Sequence, residues 1–197
     1  ERLNTAGLGD ILCGYAGLSE WRYNSARGDG PPFDDAAVAS TIGFHEEIVD
    51  GFPKTIGADG NLSADSISFI MKAVQDRDDR NLRHPAAPGA DHSFCFAIEL
   101  ANDDYWIHGE ACALAAVIVA WHTDQQPEVL IERLDTCRVR FRPRDMDISR
   151  EQLRLGLEEL PRWMGDGEHG RDIDSVMRSN PVAGKRFDEA WDWISEI

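Results

Sequence analysis

The sequence lacks an excess of positive charge. Its 197 residues include 20 Lys and Arg against 36 Asp and Glu, which gives a net charge of −16 with neutral histidines. Nucleic acids and anionic membranes attract basic surfaces, so this balance argues against both as partners. Long apolar runs are also missing. The longest, from Ala111 to Trp121, is far shorter than the roughly 20 residues of a membrane span, and we interpret it as a helix buried on all sides.

Cysteine is scarce and scattered. The chain has Cys13, Cys95, Cys112 and Cys137, with no CxxC pair among them. Thiols placed inside apolar helical runs are typical of small core residues in a reducing compartment. No basic-then-apolar signal segment opens the sequence. These two features predict a cytoplasmic protein.

Nucleotide-binding motifs are missing as well. The sequence has no GxGxxG after a strand, no P-loop lysine motif and no series of βαβ units. The chain therefore carries no complete nucleotide-binding domain of its own. Hydrophobic residues at 42% and charged residues at 28% are ordinary for a folded domain, and there is no internal repeat or evident domain boundary. We expect a single domain over residues 1–197.

Helical periodicity is the dominant positive signal. It predicts an all-α helical bundle with helices over 10–26, 34–52, 63–75, 91–101, 106–122, 127–137, 151–160 and 186–196. Ser63 is predicted to be an N-cap, and Ser149 with Gln152 to form a capping box. The charged segment 76–91 is predicted to be an exposed loop, and the alternating segment 138–144 a lone extended piece.

Two of the six histidines stand out. His108 and His92 each lie at the start of an apolar helical run, where a titratable group is costly unless it has a partner. His108 and His122 lie 14 residues apart on one helix, or about 21 Å, and cannot share an ion. His45 begins no HExxH motif and is predicted to lie on a solvated helix face. His84 is assigned to the exposed loop.

Two imidazoles from separate helices need at least one oxygen ligand to form a metal site. Asp10, which ends the segment AGLGD, is the candidate. It is expected at the start of a helix, where the positive end of the helix dipole favours a carboxylate. The alternative is that Asp10 is only an N-cap. Residue spacing by itself leaves the two interpretations open.

Three segments together resemble a known family: AGLGDILCGYAGLSEWRY at 6–23, PGADHSFCFAIE at 88–99 and HGE at 108–110. In this order and spacing they are similar to motifs of the superfamily of iron-containing alcohol dehydrogenases, glycerol dehydrogenases and dehydroquinate synthases. Within it, they resemble the sn-glycerol-1-phosphate dehydrogenases in particular. The resemblance implies a bundle like the C-terminal domain of the dehydroquinate synthase-like fold.

The resemblance also implies a metal site and a reaction. Asp10, His92 and His108 would hold a divalent metal, with zinc expected before iron or nickel. The metal would polarise an alcohol or ketone oxygen while hydride passes to or from NAD(P). The implied substrate is a polyol or sugar phosphate, such as sn-glycerol 1-phosphate or dihydroxyacetone phosphate.

The resemblance covers only the C-terminal, helical half of that family's proteins. The N-terminal nucleotide-binding domain has been trimmed away, is a separate chain, or has been lost. In each case NAD-dependent turnover is not expected from this chain alone. A separate or removed nucleotide-binding domain is thus an implied partner, and the oligomeric state is left open.

Departures from the motifs bear on the substrate. Gly14 stands where relatives often have lysine, Asp91 replaces a glutamate, and Phe96 replaces a second histidine. The cations available for a substrate phosphate are Arg83, Lys185 and Arg186. Two alternatives remain: a cyclase like dehydroquinate or aminocyclitol synthase, and a non-catalytic helical subunit that has kept the fold.

Overall fold

The computed structural model describes residues 2–28, 31–80, 89–165 and 175–197. Within these ranges the chain is helical and contains no strand, which confirms the all-α prediction. The one β-bridge found there joins Ile56 and Leu62. The helices are α1 (Arg2–Leu12), α2 (Gly14–Arg27), α3 (Asp35–Gly51), α4 (Ala64–Asp79), α5 (Ala90–Asn102), α6 (His108–His122), α7 (Pro127–Thr136), α8 (Arg150–Gly165), α9 (Val176–Ser179) and α10 (Lys185–Glu196), with 3-10 turns at Phe52–Thr55 and Pro143–Asp145.

Helix α6 forms the centre of the bundle. Every residue from Gly109 to Ala120 is buried, and α1, α2, α5, α7 and α10 all pack against this helix. A helix that is apolar on all faces needs neighbours on all faces, because exposing any of them to water would cost free energy. The prediction of a helix buried on all sides is confirmed.

The N-terminal part of the chain differs from the prediction. A single helix over 10–26 is wrong, because α1 already begins at Arg2 and the chain breaks between the helices at Cys13. The buried face of α1, which includes Leu8, Ile11 and Leu12, packs against α6. This packing offsets the low helix propensity of the glycines in AGLGD. Asp10 therefore lies in the last turn of a helix, and the expected support from a helix N-terminus is absent.

Local capping signals are confirmed. The Ser63 side chain accepts a hydrogen bond from the backbone N–H of Ser66, 3.1 Å away, at the start of α4. At the start of α8, the Gln152 side chain accepts from the Ser149 N–H at 2.9 Å, and the Gln152 N–H donates to the Ser149 hydroxyl at 3.2 Å. These reciprocal bonds satisfy backbone donors that have no partner inside the helix.

Two segments depart from the prediction. Residues 76–79, assigned to an exposed loop, are the last turn of α4, and residues 81–88 of that loop lie outside the described ranges. Segment 138–144 alternates as predicted, with Val139 and Phe141 buried and Arg140 exposed, and it pairs with no strand of the described ranges. It departs from an extended piece at its ends, where Arg138 has a φ of 55° and Pro143–Asp145 form a 3-10 turn. In the described part of the chain, no helix is both long enough and apolar enough to cross a membrane.

Candidate metal centre

The candidate site forms where α1 crosses the first turn of α6. A Cβ atom added to Gly109 would lie 1.9 Å from the carbonyl oxygen of Ala6, and one added to Gly9 would lie 2.4 Å from the carbonyl oxygen of Gly109. The two backbones therefore touch, and only glycine permits this approach. The contact explains the glycines of AGLGD and HGE, because it brings Asp10 beside His108.

The structure brings together the three side chains singled out in the sequence. Asp10 Oδ1 lies 3.2 Å from His92 Nε2 and 3.5 Å from His108 Nε2. The two imidazole rings are 5.3 Å apart between centroids and meet edge to face. The three side chains come from three helices. Asp10 lies at the end of α1, His92 lies in the first turn of α5, and His108 is the first residue of α6. Their role as metal ligands remains a prediction.

A thiol joins this group. Cys112 Sγ lies 3.4 Å from His108 Nε2, and the potential ligand atoms of Asp10, His92, His108 and Cys112 all lie within 4.8 Å of one another. All four cysteines of the chain are buried and form no disulfide, as expected from the sequence. None of the three motifs pointed to Cys112 as part of the site. The available signal was its position four residues after His108, on the same helix face.

Asp91 orients one of the imidazoles. Its Oδ2 atom lies 2.6 Å from His92 Nδ1, and the residue is only 3% exposed. A carboxylate bound to Nδ1 leaves Nε2, on the other side of the ring, free to face Asp10. In the sequence, Asp91 stands out only as a departure from a family motif. The structure places it directly behind His92.

Ion pairing holds Asp10 and His92 charged. Burial opposes ionisation of Asp10, but hydrogen bonds from His108, His92 and Arg77 hold its pKa well below the usual range. Burial likewise opposes the charge on His92, but hydrogen bonds to Asp10 and Asp91 raise its pKa well above the usual range. A charged His92 imidazolium thus forms an ion pair with the Asp10 carboxylate.

Arg77 also belongs to the site. Its Nη1 atom lies 2.8 Å from Asp10 Oδ2, on the side of the carboxylate opposite the imidazoles. The sequence does not indicate this contact, because it predicts an exposed loop over 76–91, whereas Arg77 lies in the last turn of α4. Of the cations named earlier for a substrate phosphate, Lys185 pairs with the exposed Glu189, Arg186 contacts His122 at the far end of α6, and Arg83 lies outside the described residues.

Neither of the two further histidines in the described ranges, His45 and His122, joins this group. His45 is only 2% exposed on the inner face of α3 beside Phe44 and Ile48, so its prediction as a solvated residue is wrong. The charged neighbours in the sequence were misleading, because they project from the opposite side of the helix. His122 lies at the C-terminal end of α6, and His84 lies outside the described ranges.

Two buried glutamates link the helices that carry the site. Glu110, the acid of HGE, points away from the imidazoles and pairs with Arg2 through contacts of 2.7–3.0 Å. Glu20 accepts a hydrogen bond of 2.8 Å from the Ala90 N–H at the start of α5, and another from the Ser175 hydroxyl. Burial raises the pKa of Glu20 to about 7. Sequence patterns alone singled out neither contact.

The donor set fits a transition metal. One carboxylate, two imidazoles and an adjacent thiol suit Zn²⁺, Fe²⁺ or Co²⁺, whereas Mg²⁺ and Ca²⁺ prefer oxygen ligands throughout. His108 is the most exposed member, with 49% of its side chain accessible, so the group can be approached from that side. Phe96 lies 6.2 Å from the His108 ring and stacks on Trp163, which gives this approach an apolar edge.

Comparison with curated proteins finds a distant similarity to a dehydrogenase. The chain is 24% identical over 191 residues to the glycerol-1-phosphate dehydrogenase [NAD(P)+] of Thermoplasma acidophilum, an alignment that includes 93% of this chain and 53% of the relative. The chain thus spans about half the length of the curated relative it matches. No model of a known protein family matches the sequence. The similarity supports the relationship to glycerol-1-phosphate dehydrogenases, and the wider superfamily placement stays a prediction.

Proposed function

We propose that this chain is the metal-binding catalytic half of an NAD(P)-dependent dehydrogenase that acts on a polyol phosphate. The observation that carries the proposal is the meeting of Asp10, His92 and His108 from three helices around one point. The relative from Thermoplasma acidophilum, a glycerol-1-phosphate dehydrogenase, supports the reaction class. The substrate pair we expect is sn-glycerol 1-phosphate and dihydroxyacetone phosphate.

The metal, with zinc as our first expectation, would be held by Asp10, His92 and His108. When bound, it supplies a Lewis acid that polarises an alcohol or ketone oxygen. Asp10 brings the negative charge that the cation needs, and it is already ionised. Asp91 keeps His92 Nε2 directed at Asp10, so this ring is oriented before the metal binds.

The substrate would enter from the exposed side of His108. The stacked rings of Phe96 and Trp163 border this side and exclude water from one edge. Arg77 is our candidate for the substrate phosphate, since its guanidinium lies beside Asp10 and remains 29% exposed. A bound cation would draw on the charge of Asp10 and leave Arg77 available to an anion.

NAD(P) would come from a nucleotide-binding domain. Because the chain spans about half the length of its relative, we propose that such a domain, joined to this one or associated with it, places the nicotinamide against the exposed side of the site. Catalysis then belongs to the two halves together. Metal binding belongs to this chain.

The test uses this chain together with its nucleotide-binding domain. After chelation and dialysis, the protein is supplied with Zn²⁺, dihydroxyacetone phosphate and reduced NAD(P), and nicotinamide oxidation is followed by absorbance. We expect turnover that needs both the metal and the substrate phosphate, with unphosphorylated dihydroxyacetone as the control. In a parallel assay with a longer-chain sugar phosphate, release of inorganic phosphate without net nicotinamide oxidation would favour a cyclase. A folded chain that binds no metal would favour a non-catalytic subunit.

A further inference from the structure

We propose that Cys112 is a fourth protein ligand to the metal, so that the site holds its ion with one carboxylate, two imidazoles and one thiolate. This inference rests on the proposed metal centre and concerns a residue outside all three motifs. The four ligand atoms lie within 4.8 Å of one another, and Cys112 is fully buried at the inner side of the group.

Three of the six ligand–ligand distances match the edges of a tetrahedron. Bonds of about 2.0–2.1 Å to nitrogen or oxygen and about 2.3 Å to sulfur place ligand atoms roughly 3.3–3.6 Å from each other. The separations are 3.2 Å for Asp10–His92, 3.5 Å for Asp10–His108 and 3.4 Å for His108–Cys112, and the other three are at most 4.8 Å. One ion could therefore contact all four atoms once the side chains shift to bring the wider pairs together.

The neighbouring thiols have partners of their own. Cys13 Sγ donates to the backbone oxygen of Asp10 at 3.2 Å and also interacts with His92, and Cys95 Sγ lies 3.1 Å from Cys112 Sγ, near the backbone oxygens of Asp91 and His108. Cys112 is the thiol that falls within one ligand group with Asp10, His92 and His108 together. Cys13 also falls within ligand range of Asp91 and His92, so the experiment has to separate these two cysteines.

A thiolate ligand changes which metal the site prefers. Sulfur favours soft or borderline ions, so a site with Cys112 selects Zn²⁺, Co²⁺ or Cd²⁺ over Mn²⁺ and Mg²⁺. Coordination forms a metal–sulfur bond and releases the thiol proton, together with the Nε2 proton of the charged His92, to the buffer, so no oxidant or reductant is involved. The buried thiolate would hold the ion on the inner side of the site, and the substrate oxygen would then bind as a fifth ligand from the exposed side of His108.

The test is a Co²⁺ titration of the metal-free chain, followed by absorption spectroscopy. Visible d–d bands report cobalt in a site of low symmetry, and a near-ultraviolet thiolate-to-cobalt charge-transfer band reports a sulfur ligand. We expect both sets in the wild-type chain. Cys112→Ser and Cys112→Ala should lose the charge-transfer band and keep the visible bands, whereas Cys13→Ser and Cys95→Ser should keep both.

The outcomes separate this inference from the proposed function. Visible bands without charge transfer in the wild-type chain would overturn the role of Cys112 and leave the metal centre intact. A charge-transfer band that survives Cys112→Ser and disappears in Cys13→Ser would assign the sulfur ligand to Cys13 instead. If neither the visible bands nor the charge-transfer band appears in the wild-type chain, the metal centre is overturned as well. Cd²⁺ affinity should fall more than about tenfold in Cys112→Ser, with far-ultraviolet circular dichroism confirming the fold.

Discussion

The two ends of α6 each carry a histidine, and only one of them is suited to a metal. At the N-terminal end, His108 Nε2 faces the Asp10 carboxylate and the Cys112 thiol. At the C-terminal end, the His122 ring nitrogens face the Arg186 guanidinium at 3.2 Å and the Asn180 carbonyl at 2.8 Å. Two histidines of one helix thus have neighbours of opposite charge, a carboxylate beside His108 and a guanidinium beside His122.

Charge explains the difference between the two ends. Burial, together with the nearby Arg186 cation, lowers the pKa of His122, although its hydrogen bond to the Asn180 carbonyl opposes this. A metal ion placed there would meet a guanidinium, and within the described ranges no carboxylate forms a potential ligand group with His122. The comparison teaches that the neighbours contributed by other helices, rather than the histidine, decide whether an imidazole can bind a cation.

The largest expected effect comes from the backbone contact that exists at the N-terminal end. Gly109→Ala should destabilise the fold by about 3 kcal/mol or more, because its Cβ would collide with the Ala6 carbonyl and push α1 from α6. Urea denaturation measures the loss. Gly43→Ala, within α3 and with open space around it, is the control and should be neutral or stabilising by up to about 1 kcal/mol. Equal effects of the two substitutions would contradict the helix crossing.

The comparison of the two histidines can be tested directly. His108→Ala should weaken Zn²⁺ binding by at least about 100-fold, because it removes a ligand, whereas His122→Ala should leave the affinity unchanged. Competition with a chromophoric chelator measures both variants under identical conditions. A similar loss in both variants would mean that the helix, rather than the ligand group, controls binding.

A smaller effect is expected behind His92. Asp91→Asn should weaken Zn²⁺ binding about 10- to 100-fold, because the amide no longer holds the ring with Nε2 directed at Asp10. The same chelator competition applies. Asp188→Asn is the matched control. It breaks an exposed ion pair between Asp188 on α10 and Arg150 on α8, and it should have no effect on Zn²⁺ affinity. Unchanged affinity in Asp91→Asn would remove the orienting role.

The smallest effect concerns Glu20. Burial raises the pKa of Glu20 from its ordinary 4.5 to about 7, and the negative charge of Asp91 contributes to this rise. Between these values the folded state binds more protons than the unfolded state, so stability is full below about pH 4.5 and falls as pH rises through 7. Glu20→Gln should reduce this fall by an amount on the order of 1 kcal/mol, as measured by urea denaturation at about pH 5 and about pH 8. Glu132→Gln, on an exposed position of α7, should leave the slope unchanged. A Glu20→Gln slope equal to that of wild type would contradict the raised pKa.

Much of the fold was predictable because its signals are local. The all-apolar run of α6, the Ser63 cap and the Ser149–Gln152 capping box each depend on residues within one or two helical turns, and the structure confirms them. The motif residues Asp10, His92 and His108 were likewise found from short segments. Their convergence agrees with the resemblance, whereas their metal still has to be shown.

The errors share a different cause. The break at Cys13, the burial of His45 and the helical state of Arg77 all depend on which neighbouring helix covers each position. Glycines in AGLGD predict a weak helix when read alone, yet packing on α6 makes α1 continuous through Asp10. Local sequence patterns do not predict such contacts, because the residues that cover each position lie far away in the sequence.

The sequence by itself determined a helical domain and three motif residues with the chemistry of metal ligands, because periodicity and side-chain type are properties of short segments. Only the tertiary structure decided that Asp10 meets both imidazoles and that Arg77 pairs with Asp10, because these contacts join different helices. The contact between Asp10 and His108 depends on how closely α1 approaches α6. That approach depends on backbone contact between two glycines about a hundred residues apart, Gly9 and Gly109.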